Sequence, residues 1–202
     1  MDLVIATKNK KKFAEIKEIL KGLKLNLISL ADIAQPPRII ENGKTFKANA
    51  VKKARKLALF TGKISLGEDS GLCIDALDGA PGVYSSRFSG KDKSDLKNNC
   101  KVLKLLEGVP LNKRRAHYIC AVALADKSGL VGVVEGRCNG IIGFELKGNR
   151  GFGYDPLFII TKYKKTFAQL GEKIKHKMSH RYYALEKAQK IIKKYIEKQR
   201  SN

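Results

Sequence analysis

Arg115-Ala116-His117-Tyr118-Ile119-Cys120-Ala121-Val122-Ala123-Leu124-Ala125 leads into Asp126-Lys127-Ser128-Gly129, and then into Leu130-Val131-Gly132-Val133-Val134-Glu135-Gly136-Arg137-Cys138. Two alternating, strand-like runs around a short Asp-Lys-Ser-Gly turn predict an antiparallel hairpin. The N-terminal half follows another rhythm. Leu3 to Ala6 reads as a buried strand, and residues 10–23 read as a helix with Phe13, Ile16, Leu20 and Leu23 on one face. Residues 25–30 form the next expected strand. Thr45 is placed as the N-cap of a helix reaching about residue 60, whose inward face is Phe46, Ala50, Ala54, Leu57 and Ala58. Downstream, Ser94 or Asp95 opens a helix to Leu106, residues 157–160 form a strand, and Ser179 caps a long last helix with Ala184, Leu185, Ala188, Ile191, Ile192 and Tyr195 as its stripe. Strands joined by helices, followed by a hairpin, predict an α/β fold with a mixed sheet.

The composition suits one soluble domain spanning residues 1–202. Of these residues, 43% are hydrophobic and 30% charged, and no apolar run approaches the roughly 20 residues of a membrane span. Met1-Asp2 runs straight into a strand without the plan of a signal peptide, so a cytoplasmic protein with no membrane partner is expected. Cys73, Cys100, Cys120 and Cys138 lack CxxC or zinc-finger spacing. The first, third and fourth fall in apolar stretches, where reduced cysteine packs as core. The net charge of +22 attracts polyanions, and residues 156–202 alone hold 13 Lys and Arg against 3 acids. The chain nevertheless has no zinc finger, no RNP aromatic sequence and no Trp, so a nucleic-acid partner is not required.

Chemistry points to five places. Glu68-Asp69-Ser70-Gly71 sets two carboxylates in an expected turn between short strands at residues 64–66 and 72–74. Acids kept in so cationic a chain suggest a metal site for an anionic substrate, and an ordinary capped turn is the alternative. The first strand ends in Thr7-Lys8-Asn9-Lys10-Lys11-Lys12, a basic helix start suited to phosphate, although solvated lysines would look the same. Glu15 shares a helix face with Lys11 and Lys12, where a local salt bridge is the plain expectation. Glu41 could approach a metal, and Asn49 a neighbouring loop or a substrate. In Gly151-Phe152-Gly153-Tyr154-Asp155-Pro156 a phenyl ring between glycines can lie flat against a base, with Asp155 accepting from a base or ribose. Lys175 can reach a phosphate, while His180 and Arg181 at a helix start can donate to a base carbonyl or a phosphate.

In order along the chain, Ala6-Thr7-x-Asn9-x-x-Lys12-x-x-Glu15, Glu41-x-Gly43-x-Thr45-Phe46-x-x-Asn49-Ala50, Glu68-Asp69-Ser70-Gly71-Leu72, Gly79-x-Pro81-Gly82-Val83-Tyr84-Ser85-x-Arg87, Gly151 to Pro156 and Ser179-His180-Arg181 resemble the inosine triphosphate pyrophosphatase family, also called XTP/dITP diphosphatases. The departures are Glu68 where the family often has Asp, and Lys8 where many members have Gly. The resemblance implies Mg²⁺-dependent hydrolysis of ITP, dITP and XTP to the monophosphate and pyrophosphate, which keeps them out of DNA and RNA. It implies an elongated mixed sheet flanked by helices, two lobes with an active-site cleft between them, and a homodimer. By position it implies Asp69 as proton acceptor and magnesium ligand, Glu41 as a second ligand, and Glu68 as a possible third. Thr7, Lys8, Asn9, Lys10, Lys11, Lys12 and Ser70 match phosphate-side contacts. Phe152, Gly153, Tyr154, Asp155, Lys175, His180 and Arg181 match nucleotide contacts.

Overall fold

The structure, a computed structural model, describes residues 1–200. Seven strands form one mixed sheet in the order β2-β1-β3-β4-β5-β6-β7. They are β1 (Asp2–Ile5), β2 (Asn26–Ser29), β3 (Ser65–Ile74), β4 (Arg115–Asp126), β5 (Gly129–Ile142), β6 (Phe158–Ile160) and β7 (Lys165–Thr166). β1 pairs parallel to β2 and β3, whereas β5, β6 and β7 pair antiparallel. The helices are α1 (Lys10–Leu20), α2 (Phe46–Thr61), α3 (Asp95–Leu105), α4 (Phe167–Leu170), α5 (Glu172–Lys175) and α6 (His180–Arg200). The chain divides into two compact units. The first comprises Met1–Asp69, Cys120–Gly136 and the segment from His180 onward; the second comprises Ser70–Ile119 and Arg137–Ser179.

In the first unit the sheet is covered on both faces, and strand alternation sorts the residues. Leu3, Ile5, Ile64 and Leu66 meet Ile16 and Leu20 of α1 and Ala184, Leu185, Ala188 and Ile192 of α6. Val4 and Ala6, with the opposite parity, meet Leu57 of α2. Two glycines permit unusually close packing. A Cβ at Gly67 would lie 2.1 Å from the Ala50 carbonyl oxygen, and one at Gly136 would lie 2.2 Å from that of His180. The backbones of α2 and α6 therefore rest directly on β3 and β5. In the second unit, Leu72, Ile74, Val102, Tyr118, Phe158 and Phe167 build a separate core, with the Phe158 and Phe167 rings stacked 5.5 Å apart.

The expected hairpin forms, with Asp126 Oδ1 accepting from the amides of Ser128 and Gly129. Thr45 and Ser94 cap α2 and α3 as expected. The acidic turn does not form. Residues 65–74 make one continuous strand, because Glu68 and Asp69 each find buried partners on either side of it and need no solvated turn. α1 stops at Leu20 rather than residue 23, β7 and the short α4 and α5 were not anticipated, and the third strand of the C-terminal half begins at Phe158. All four cysteines are free, with Cys100 exposed and the other three buried. No helix among the described residues is long and apolar enough to cross a membrane.

Candidate functional site

In the first unit the adjacent carboxylates of β3 point to opposite faces of the sheet. Asp69 shares the face of Gly67 and turns toward α2. There Asn49 Nδ2 donates to Asp69 Oδ2 at 2.9 Å, and Lys53 Nζ lies 3.4 Å from Asp69 Oδ1. Asn49 and Lys53 are one helical turn apart, and the missing side chain at Gly67 lets that turn settle onto the strand. Asn49 Oδ1 also accepts from the Gly43 amide at 2.8 Å, which ties down the loop carrying Glu41. Glu41 in turn reaches Lys53 Nζ at 2.6 Å. Two carboxylates thus meet at one buried ammonium. Burial pushes the Asp69 carboxyl above its ordinary value, and Lys53 and Asn49 offset this only in part. Burial pulls the Lys53 ammonium down, but Asp69 and Glu41 outweigh it and hold the charge on.

Glu68 turns to the other face. Its Oε2 accepts from Lys12 Nζ at 2.9 Å, while Oε1 accepts from Arg181 at 3.0 Å and from the Cys120 thiol at 3.3 Å. Arg181, 1% exposed, donates its other terminal nitrogen to Glu15. Burial alone would lower the guanidinium pKa; Glu68 and Glu15 reverse that and move it upward. Arg181, expected to donate to a base or phosphate, is therefore a buried bridge between carboxylates. Glu15, expected in a local helical pair, has a partner 166 residues away. Glu68, expected as a possible metal ligand, has both oxygens on protein donors. The Cys120 thiol is pushed well up, by burial first and Glu68 second, and stays protonated. His180 is buried at the start of α6.

At the end of β1, Asn9 caps α1, and its Oδ1 accepts from the Lys11 and Lys12 amides. Thr7 Oγ1 accepts from the Asn9 amide. Those amides, expected to be offered to phosphate, have acceptors within the chain. The lysine side chains carry the positive charge outward instead: Lys8, Lys10 and Lys11 are exposed and Lys12 is half-buried. Ser70 is half-buried in β3.

The second unit holds the other sharp segment. Asp155 Oδ2 accepts from the Phe152 amide at 2.9 Å and from Lys175 Nζ at 2.6 Å. Lys175 is 3% exposed, and its ammonium stands 4.3 Å from the centre of the half-buried Phe152 ring, a cation–π contact. Lys175, expected to reach a phosphate, here braces the loop. The Tyr154 hydroxyl donates to the Ser85 carbonyl at 2.8 Å, and Gly153 is held by Asp95 and Asn99 of α3. Neither Lys53 nor Asn99 is singled out by the sequence, and Asp95 is named there only as a helix start. Lys53 lies one helical turn after Asn49, and that spacing was the available signal.

Among the described residues no group of three or more His, Cys, Asp or Glu converges to hold a metal. Magnesium asks for less: one or two carboxylates, completed by waters and phosphate oxygens. Glu41 and Asp69 offer oxygen donors that already converge on one cation. On the strand's other face, Glu15 and Glu68 are held by Arg181 and Lys12, so Glu41 and Asp69 are the carboxylates placed to share a cation. The donor set fits a hard divalent ion.

Comparison with known proteins agrees over nearly the whole length. The Ham1 family profile matches residues 3–191. A dITP/XTP pyrophosphatase of Desulforamulus reducens is 49% identical over 95% of this chain and 96% of its own. One of Geobacter sulfurreducens is 47% identical over 91% and 92%. Among solved structures, a HAM1 protein from Coxiella burnetii superposes with a TM-score of 0.87 at 38% identity, covering 96% of this chain and 99% of that one. The Staphylococcus aureus Ham1 protein gives a TM-score of 0.86 at 33% identity, covering 96% and 100%.

Proposed function

The chain belongs to the Ham1 family, and on that premise we propose that it hydrolyses ITP, dITP and XTP to the nucleoside monophosphate and pyrophosphate, with Mg²⁺. It thereby removes non-standard purines before they enter DNA or RNA. The observation that carries the reading is the Asp69 carboxylate, buried, held by Asn49, and sharing the Lys53 ammonium with Glu41.

Each residue then has a task set by its surroundings. Asp69 takes the proton of the attacking water; its raised pKa makes it a better base than an exposed aspartate. Asn49 fixes which oxygen of Asp69 is offered, by donating to the other. Lys53 offsets the repulsion that Glu41 and Asp69 would exert on an approaching phosphate. Lys12, set by Glu68, and the exposed Lys8, Lys10 and Lys11 attract the triphosphate and hold charge that builds on the departing pyrophosphate. Glu41 and Asp69 would hold the magnesium ion, which supplies charge neutralisation and polarises the phosphorus under attack.

Base recognition is assigned to the second unit's Phe152–Asp155 loop, where the half-buried ring offers a stacking face. Hypoxanthine and xanthine present a 6-keto acceptor where adenine presents a 6-amino donor, and a hydrogen-bond donor facing that position would disfavour adenine. The same reading includes a cytoplasmic homodimer that requires neither nucleic acid nor membrane.

Incubation with ITP, XTP, GTP and ATP and separation of the products tests this. Inosine and xanthosine monophosphates with pyrophosphate are expected. Release of orthophosphate with a nucleoside diphosphate, or turnover of ATP equal to that of ITP, would overturn it.

A further inference from the structure

The loop that carries Phe152 is gripped from a helix that none of the sequence motifs includes. α3 begins at Asp95 behind its Ser94 cap. Asp95 Oδ2 accepts from the Gly153 amide at 2.7 Å, and Asn99 Nδ2 donates to the Gly153 carbonyl at 2.9 Å. Asn99 Nδ2 also donates to the Asp95 backbone carbonyl at 2.8 Å, which fixes the Asn99 side chain against the turn that carries Asp95. Both peptide groups flanking the Gly153 α-carbon are therefore held by one helical turn. Gly153 has φ of +64°, in the left-handed region. A glycine there is free to adopt many other conformations, so an outside restraint decides which one it keeps. Asn99 is 3% exposed and Asp95 is charged, so the restraint is buried on one side and charge-assisted on the other.

A second restraint next to the ring comes from Asp155, which accepts from the Phe152 amide. Phe152 is thus bounded by Asp155 at its own nitrogen and by α3 at the next residue. Those anchors hold the backbone from which the ring projects, and Lys175 Nζ packs against the ring 4.3 Å from its centre.

We infer that Asp95 and Asn99 are positioning residues for the nucleobase, holding both peptide groups of Gly153 so that the Phe152 ring keeps a fixed stacking direction. The inference rests on the assignment of base recognition to this loop. Neither residue touches the reacting phosphate. Their loss therefore weakens binding of a substrate that has a base and spares one that has none.

The test compares wild type, Asp95→Ala, Asp95→Asn and Asn99→Ala on ITP and on ribose 5-triphosphate, which lacks the base. Asp95→Ala and Asn99→Ala are expected to raise KM for ITP about tenfold with kcat within about twofold, the scale of one charge-assisted hydrogen bond. Asp95→Asn, whose amide oxygen still accepts, restores most of the loss. KM for ribose 5-triphosphate stays at the wild-type value in all four proteins. An unchanged KM for ITP, or an equal rise for both substrates, would overturn the inference. Amide hydrogen exchange across residues 151–154, measured on the same proteins, is expected to speed up about tenfold or more in the Ala variants. Unchanged exchange would also overturn it, even for a variant with low activity. Failure of the wild type to hydrolyse ITP would sink the proposed function instead, and the clamp would then be judged by exchange alone.

Discussion

The two units arrange their ion pairs differently. In the first, the pairs run from Glu15 through Arg181, Glu68 and Lys12 on one side of β3 to Asp69, Lys53 and Glu41 on the other, where two carboxylates meet at one ammonium. In the second, Asp155 meets Lys175 beside the rings of Phe152 and Phe167. Two carboxylates at one ammonium can share a further cation, and burial moves the proton affinity of Asp69 upward. The Asp155–Lys175 pair stiffens a loop beside an aromatic face. The first arrangement suits the chemistry of an anionic phosphate, the second the recognition of a flat base.

Breaking the first unit's base should give the largest effect. Asp69→Asn keeps shape and the contact to Asn49 but cannot take a proton, and kcat on ITP is expected to fall about 10³-fold with the fold intact by circular dichroism. Next is the bridge itself. Arg181→Met leaves Glu15 and Glu68 buried without their shared cation, and chemical denaturation should show a loss of about 3–5 kcal/mol. Converting Glu15 and Glu68 to Gln in the same chain should recover part of it. In the second unit, Phe152→Ala should raise KM for ITP roughly tenfold or more, the scale of base stacking on an aromatic ring, while stability changes little because the ring is half-buried. An equal loss on ribose 5-triphosphate would erase the contrast between the units.

The smallest effect is a pH dependence. Asp69 has a folded pKa raised above 3.8, so its contribution to stability is full below 3.8 and is lost as pH rises through the raised value. The Asn variant does not titrate there. In metal-free protein, Asp69→Asn should therefore gain in stability relative to wild type as pH rises through that window. A difference independent of pH would place the strain elsewhere.

Much of this was legible from local pattern. Thr45 and Ser94 announced their helices because a cap acts within three residues. The hairpin announced itself because Asp126 bonds the next two residues but one. Strand alternation along β3 sends Glu68 and Asp69 to opposite faces once the segment is a strand rather than a turn. What waited on each face was not predictable. The acidic pair read as a turn because acids next to Ser-Gly usually seek water, and only packed neighbours made a strand of them.

By itself, then, the sequence determined the period and ends of most elements, the hairpin, the α/β class and the residue types able to handle phosphate and base. Tertiary structure decided the pairings: Arg181 with Glu15 and Glu68, Lys53 between Asp69 and Glu41, Asp95 and Asn99 on Gly153. Periods and caps are set by neighbours within a turn or a strand, so they are written locally. Ion partners depend on which helix packs on which strand and how closely, and at Gly67 and Gly136 that closeness comes from a side chain the sequence leaves out.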